Sequence, residues 1–178
     1  MLRKWQIYLK LWLGNERGSA ALEAALVFPV MVAMLFGIVD IGKGLILNKK
    51  ILSASQMASD LLARNDIVTD GDIDEAVAAA RMAVSPYDLT SFGIDIVGVR
   101  FTGGAANPSV EWRDTFGMGP NDEVLVGSNG LGDEDEGIIA VTVSYTYTPP
   151  YSSFAAGDIY MEEVAYVRGR GSSFIGRE

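Results

Sequence analysis

Glu23 is the residue whose position most needs a chemical explanation, because it stands directly before an uncharged, apolar run from Ala24 to Val39. A charged side chain in a membrane-spanning segment costs up to about 3 kcal/mol at the bilayer centre, less near the interface, and commonly has a partner. Gly18 precedes it by five residues. The carboxylate therefore needs either a positively charged partner or access to water.

The sequence contains few of the residue types that catalysis or metal binding commonly uses. It contains no histidine and no cysteine, which removes the commonest general base, the commonest metal ligand and every thiolate. A Ser-His-Asp triad is therefore impossible. Serine and lysine dyads stay open in principle, but the last lysine is Lys50, so the part after it has none. We predict that the protein is not an enzyme and needs no cofactor.

Three short motifs resemble binding loops. Residues 37–44 have the spacing GxxxxGK, but Gly44 replaces the Ser or Thr that would hold magnesium, and no strand precedes the loop. Residues 70–74 begin like a calcium loop, yet Arg81 occupies the twelfth position, so a capped helix start explains these acids better. Residues 133–136 are all acidic; a solvated loop is favoured there, and loose calcium binding stays open.

The charges divide the chain into two unequal parts. The whole chain carries a net charge of −9 and residues 1–18 carry +3, so residues 19–178 carry −12. Because positive residues next to a first membrane helix stay in the cytoplasm, we predict a cytoplasmic N-terminus and an exported remainder. The acidic exported part argues against binding nucleic acid.

An extended helix is expected to follow a short basic segment. Residues 1–13 have a partly amphipathic pattern typical of a helix lying on a membrane surface, or of an unstructured basic segment. Residues 14–18 contain turn formers and should interrupt the helix. Residues 20–47 would form a helix of about 42 Å, longer than the roughly 30 Å hydrocarbon core. Pro29 lies inside it, and Asp40 and Lys43 should form an exposed pair marking the outer interface.

The rest of the chain changes from helical to strand patterns. An apolar stripe at residues 49–64 predicts that the helix continues, and Thr69 or Asp70 can cap a second helix that ends before Ser85. From residue 93, strands are predicted at 94–101, 110–112, 124–126, 138–147 and 159–167. Alternation at 141–148 predicts one apolar face and one threonine-rich face exposed to water.

These elements predict an α+β fold: an N-terminal transmembrane helix that extends into a helical stalk and carries a small antiparallel-sheet head. The expected division is a leader at 1–18, a membrane helix at 19–47, a helical stalk or hairpin at 48–86 and a β-rich head at 87–178.

The sequence Gly-Ser-Ala-Ala-Leu-Glu-Ala-Ala-Leu-Val-Phe-Pro at 18–29, continued by Phe-Gly-Ile-Val-Asp-Ile-Gly at 36–42, resembles the TadE-like family. Members of that family are minor pilins or pseudopilins of the tight-adherence (Tad/Flp) pilus machinery. The resemblance is strong over about residues 14–60 and weaker beyond. Ser19, in place of phenylalanine, disfavours type IVa pilins and type II secretion pseudopilins, and the length excludes the major Flp pilin.

The resemblance implies a role in the bacterial inner membrane. A prepilin peptidase would cut after Gly18, with Glu23 as the recognised acid, and the new amine of Ser19 would lie about 6 Å from Glu23 along a helix. In a staggered bundle, Glu23 of one subunit could meet the Ser19 amine of another, where opposite charges attract more strongly than at the surface. Expected partners are other pilins or pseudopilins, the Tad inner-membrane assembly proteins and membrane lipid. Pro29 has either a structural or an assembly role.

A second interpretation stays open at this point. The chain would then be a single-pass, membrane-anchored envelope domain that binds a protein or polysaccharide, is not processed and does not join a fibre.

Overall fold

The computed structural model of the protein describes residues 17–103, 107–170 and 174–178, without the side chains at positions 17, 19, 154 and 155. The predicted surface helix at residues 1–13 and the turn formers at 14–16 lie outside the described residues. The helices are α1 (Arg17–Leu62), α2 (Asp70–Val84), α3 (Glu123–Gly127) and α4 (Ser153–Ala156). The strands are β1 (Ile67–Val68), β2 (Gly93–Phe101), β3 (Pro108–Phe116), β4 (Gly137–Tyr147), β5 (Ile159–Arg168) and β6 (Gly176–Arg177).

Helix α1 runs without interruption for 46 residues, with Pro29 inside it, so it is about 69 Å long. Gly18, which was predicted to interrupt the helix, is already helical. The C-terminal half of α1 buries side chains at three- and four-residue spacing against the rest of the chain: Leu47, Ile51, Ala54, Ala58 and Leu62. This part of the helix is therefore integral to the core of the head.

Helix α2 folds back against α1, as the sequence predicts. Thr69 caps it: the Asp72 amide donates to Thr69 Oγ1 over 3.3 Å, and the Thr69 amide donates to Asp72 Oδ2 over 2.8 Å. The Thr69 side-chain hydrogen bond is the main cause of a lowered pKa at Asp72. At the other end, Lys50 Nζ donates to the carbonyls of Ala83 and Ser85, which is favourable at a helix C-terminus. The capped start at residues 69–72 accounts for the acids that resembled a calcium loop.

An antiparallel sheet in the order β3-β2-β4-β5 completes the head. The predicted strands at 94–101, 110–112, 138–147 and 159–167 are confirmed, within longer observed strands. The predicted strand at 124–126 is wrong, because this segment is helix α3. Asn121 Oδ1 accepts the Glu123 amide and begins the helical turn, and three apolar residues are too few to distinguish the two periodicities.

Both faces of the sheet are covered. Ile94, Ile96, Val141 and Val143 belong to the main core with α1 and α2. The opposite face packs under α3, where Val97, Val99, Ile138, Ala140 and Val124 form a second cluster.

The prediction of a wet, threonine-rich face on β4 is wrong, because Thr142 and Ser144 are buried. The segment before α3 lies over them: Ser144 Oγ donates to Met118 Sδ over 3.3 Å, and Asn121 Nδ2 donates to Thr142 Oγ1 over 3.4 Å.

The C-terminal residues close the structure around the sheet edge. β6 pairs in parallel with β1, and Trp112 Nε1 donates to the Ile175 carbonyl over 3.0 Å. Arg177 bridges Asp114 and Asp70, at 3.1 and 2.5 Å. The result is an α+β, pilin-like arrangement: a long apolar N-terminal helix whose second half carries an antiparallel head.

Candidate functional site

The sequence-predicted processing residues lie in the first turns of α1. A Cβ built on Gly18 meets no atom within 4 Å among the described residues, so there is space for a side chain at this position. Glu23 is exposed and lies about 7.5 Å further along the helix axis. Its neighbours Leu22 and Leu26 are also exposed. The glycine and the glutamate are therefore both exposed in the first two turns of α1.

An exposed apolar surface follows these residues. Among the described residues, the helical segment Ala20–Leu62 is long and apolar enough to cross a membrane. Only 6% of its most apolar 18-residue stretch is buried. Large side chains exposed along it include Phe28, Met31, Met34, Leu35 and Ile38. Apolar surface of this extent is typical of a membrane or protein interface.

Asp40 lies on the same helix and joins α1 to the head. Its side chain is only 2% exposed. Oδ2 accepts hydrogen bonds from the amides of Tyr151 and Ser152, over 3.1 and 2.7 Å, and from Ser152 Oγ over 2.7 Å. Oδ1 is buried and has no hydrogen-bond partner in the described part of the chain. The carboxylate thus fixes the loop before α4 to the middle of the long helix.

The expected exposed pair between Asp40 and Lys43 is wrong. Asp40 is buried under the 149–152 loop, whereas Lys43 Nζ lies 5.2 Å from the centroid of the Tyr151 ring. The same ring stacks on Phe36, with centroids 5.0 Å apart. Tyr151 therefore contacts both an apolar ring and an ammonium group of α1. The depth of Asp40 and Lys43 relative to a membrane stays a prediction.

Further contacts hold the same region together. Tyr147 Oη donates to the Asp40 carbonyl over 3.1 Å, and Asn48 Nδ2 donates to Glu163 Oε1 over 2.8 Å. Between α1, the 149–156 loop and edge strand β5 lies a crevice of about 250 Å³. Its walls are almost entirely apolar and include Ile41, Leu45, Pro149, Ile159 and Met161.

A second buried carboxylate lies on the far side of the sheet. Asp95 is fully buried, its Oδ2 accepts the Asn121 amide over 2.8 Å, and its Oδ1 lies 3.5 Å from Arg113 Nε. Burial raises the pKa of Asp95, against the lowering effects of Asn121 and Arg113. The contact with Asn121 holds the segment before α3 against the sheet, which is a structural use of the carboxylate.

The acidic loop at 133–136 is occupied by contacts within the chain. Glu136 Oε2 accepts the Asp133 amide over 3.0 Å and lies 3.3 Å from Arg168, and Asp135 lies 3.8 Å from Arg100. Within the described ranges, no group of three or more acidic side chains is arranged to hold a metal ion.

Sequence reasoning found the residues at the start of α1 but missed the junction. Asp40 was visible as a carboxylate interrupting an apolar segment, which is itself a signal that it needs donors. Its donors lie more than 100 residues away in a Pro-Pro-Tyr-Ser loop, and no local pattern connects the two. Asp95 was likewise hidden in a run of strand residues.

The fold and the exposed apolar helix define a class: a pilin-like α+β protein that has, in the part of the chain that the structure describes, one N-terminal helix that could span a membrane. Residues 18–60 match the family of TadE-like proteins, so the chain carries a TadE-like domain that covers nearly all of α1 (Arg17–Leu62). This match covers less than half of the chain. No match was found among curated proteins or among solved structures.

Proposed function

We propose that the protein is a minor pilin or pseudopilin of a Tad (Flp) pilus system, anchored in the bacterial inner membrane by α1 and acting in pilus biogenesis. The observation that carries the proposal is the coincidence of the TadE-like domain with the exposed apolar half of α1. The charge of residues 1–18 supports a cytoplasmic N-terminus with the head on the far side.

Maturation is the first step of this function. A prepilin peptidase cuts after Gly18, in keeping with the open space around that residue. The cut leaves Ser19 as the new N-terminus and Glu23 as the fifth residue of the mature chain. Partners at this step are the peptidase and membrane lipid.

Assembly is the second step. The Ser19 amine of one subunit and Glu23 of a neighbouring pilin or pseudopilin attract each other in a staggered helix bundle, shielded from bulk water. This pairing offsets the cost of burying both charges and disfavours other registers. Pro29 lies close enough along the helix to shape the same contact surface.

N-terminal sequencing of the membrane-bound protein tests processing. The mature chain is expected to begin at Ser19, and Gly18→Leu should abolish the cut, because bulk at the cleavage position blocks the peptidase. Gly37→Leu is the matched control, since a Cβ at Gly37 also meets nothing within 4 Å on the same helix; it should be processed normally. A wild-type chain that begins at Met1 would instead support the unprocessed envelope domain.

Glu23→Ala tests assembly separately from maturation. The variant should be cleaved, at least in part, yet fail to support pili in cells that lack the wild-type chain. Glu23→Asp keeps the charge and should restore part of the piliation. Normal piliation with Glu23→Ala would refute the charge-pairing role while leaving the family placement intact.

A further inference from the structure

The loop at 149–156, called the foot below, packs against α1 around Phe36 and Asp40. Asp40 accepts three hydrogen bonds from Tyr151 and Ser152 in this loop, and Tyr151 stacks on Phe36, about one turn nearer the N-terminus. The head therefore reaches back along the helix onto the exposed apolar segment.

The depth of the foot follows from helix geometry. If Glu23 lies at one boundary of the hydrocarbon, Phe36 lies about 20 Å, Asp40 about 26 Å and Lys43 about 30 Å further along the axis. The hydrocarbon core is about 30 Å thick. Tyr151, which contacts Phe36 and Lys43, then lies within about the last 10 Å of the hydrocarbon core, next to the interface where tyrosine and tryptophan side chains concentrate.

The chemistry of the foot agrees with this level. Tyr151 is 48% exposed and Ile159 and Ile41 are also exposed, while Lys43 Nζ lies over the Tyr151 ring, 5.2 Å from its centroid. A lysine with its stem on apolar surface and its ammonium among headgroups is a common interfacial arrangement. Beside it, the crevice of about 250 Å³ is lined mainly by apolar side chains of α1, the foot and β5, with Asp40, Asn48 and Ser152 also in its lining.

The crevice is also continuous with the membrane-facing surface of α1. Two of its wall residues, Ile41 and Leu45, belong to the exposed apolar series that begins at Leu22. This surface is apolar, lies near the headgroup level and is joined to the lipid-facing side of the helix. It is therefore better suited to contact with the outer leaflet than to contact with water.

We infer that the foot is a lipid-docking surface: it rests in the outer leaflet, with Tyr151 at the headgroups and acyl-chain methylenes in the crevice. Asp40 is the positioning residue that holds the foot against α1. Docking fixes the tilt of the head relative to the bilayer. This inference rests on the proposed membrane anchoring by α1.

The absence of cysteine from the chain makes a direct test possible, because each introduced cysteine is unique. Ser153→Cys and Ala156→Cys place a nitroxide label on the foot. Met34→Cys, at a residue that is 64% exposed in the middle of the apolar segment, is the reference position for a label inside the membrane. Val126→Cys, at a residue that is 72% exposed on α3 across the sheet, is the reference position for a label in water.

The full-length labelled chains are reconstituted in phosphatidylcholine–phosphatidylglycerol vesicles, and collision with oxygen is compared with collision with a water-soluble nickel chelate. The foot labels should show a severalfold higher oxygen-to-nickel ratio than Val126→Cys. Adding Asp40→Ala, or the milder Ser152→Ala, should lower the foot ratio toward the Val126 value and leave Met34→Cys unchanged.

Foot labels that match Val126→Cys, while Met34→Cys remains lipid-exposed, would overturn lipid docking and leave the membrane anchor standing. An aqueous Met34→Cys would overturn the anchor and, with it, the docking. Foot labels shielded from both reagents, increasingly so at high protein-to-lipid ratio, would overturn lipid docking in favour of a protein neighbour in the crevice.

Discussion

Glu23 and Asp40 are the two carboxylates on the apolar half of α1, and their surroundings differ. Glu23 is exposed on a helix surface that the head does not cover, whereas Asp40 is buried by the head and accepts three hydrogen bonds on one oxygen. Hydrogen bonds to a charged group contribute more than neutral ones, which compensates for the cost of burying it. Asp40 therefore serves the structure of a single subunit, whereas the contact proposed for Glu23 is one between subunits.

Asp40→Ala should lower the free energy of unfolding of the head by about 2 kcal/mol, because two backbone amides and one hydroxyl lose their acceptor. Denaturant unfolding of the full-length chain in detergent micelles measures the change. Asp74→Ala, at an exposed carboxylate on α2, is the control and should stay within about 0.5 kcal/mol. Equal stability of the two variants would contradict the role assigned to Asp40.

Asp95 makes the stability of the head depend on pH. Burial raises its pKa above the ordinary 3.8 in the folded protein, so the native state holds this proton at pH values where the unfolded chain has lost it. The free energy of unfolding contributed by Asp95 is therefore greatest at low pH and falls as the pH rises from about 3.8 through the raised value.

Asp95→Asn should remove this contribution, so the stability of the variant relative to wild type should increase as the pH rises across that window. Denaturant midpoints measured at several pH values test the slope. Asp74→Asn should differ from wild type by a nearly constant amount. A relative stability of Asp95→Asn that is flat or falls with pH would show that the carboxyl pKa is not raised.

At the scale of elements, α1, α2 and four of the sheet strands could be predicted from the sequence, because apolar periodicity and the Thr69 cap are local signals. The identity of the 124–126 segment could not be predicted, since Glu-Val-Leu-Val-Gly fits either a strand or one helical turn. The cover over Thr142 and Ser144 was also missed, because it comes from a loop about twenty residues away in sequence. The candidate site could also be predicted only in part. The Gly18 and Glu23 pattern is local in sequence, whereas the groups that donate hydrogen bonds to Asp40 are not.

The packing of β2 against β3 depends on a close approach that only glycine permits. A Cβ on Gly98 would lie 2.2 Å from Trp112 Nε1, so Gly98→Ala must displace a ring whose indole nitrogen is bonded to the Ile175 carbonyl. Overpacking of this kind costs about 2 kcal/mol.

Far-UV circular dichroism in increasing denaturant should show this loss of stability for Gly98→Ala. Gly119→Ala is the matched control, because a Cβ there meets nothing within 4 Å, and its midpoint should remain close to that of wild type. Similar midpoints for the two variants would mean that the indole ring moves aside without cost.

At the scale of the whole molecule, the last residues of the chain close the head onto the helical hairpin. The Gly176 amide donates to the Asp66 carbonyl over 3.1 Å, and the Glu178 amide donates to the Val68 carbonyl over 3.0 Å. Arg177 adds ion pairs to β3 and to the start of α2. The C-terminus thus joins the sheet, β1 and α2.

Arg177→Ala should lower the free energy of unfolding by about 1.5 kcal/mol, because Asp114 and Asp70 lose the mostly buried guanidinium that pairs with both. It should also speed hydrogen exchange at the Gly176 and Glu178 amides. Arg64→Ala removes an exposed i,i+4 pair with Asp60 and should cost only a few tenths of a kcal/mol. Unchanged exchange at both amides in Arg177→Ala would contradict the closing role of the C-terminus.

The uninterrupted path of α1 also determines how the head is rotated about the helix axis. An α-helix turns about 100° and rises about 1.5 Å with each residue. Because no break separates Glu23 from Leu62, the number of residues between them sets the azimuth of the sheet relative to the residues at the start of the helix. One residue added or removed between Pro29 and Phe36 would keep every contact inside the head and still swing the whole head by more than a quarter turn.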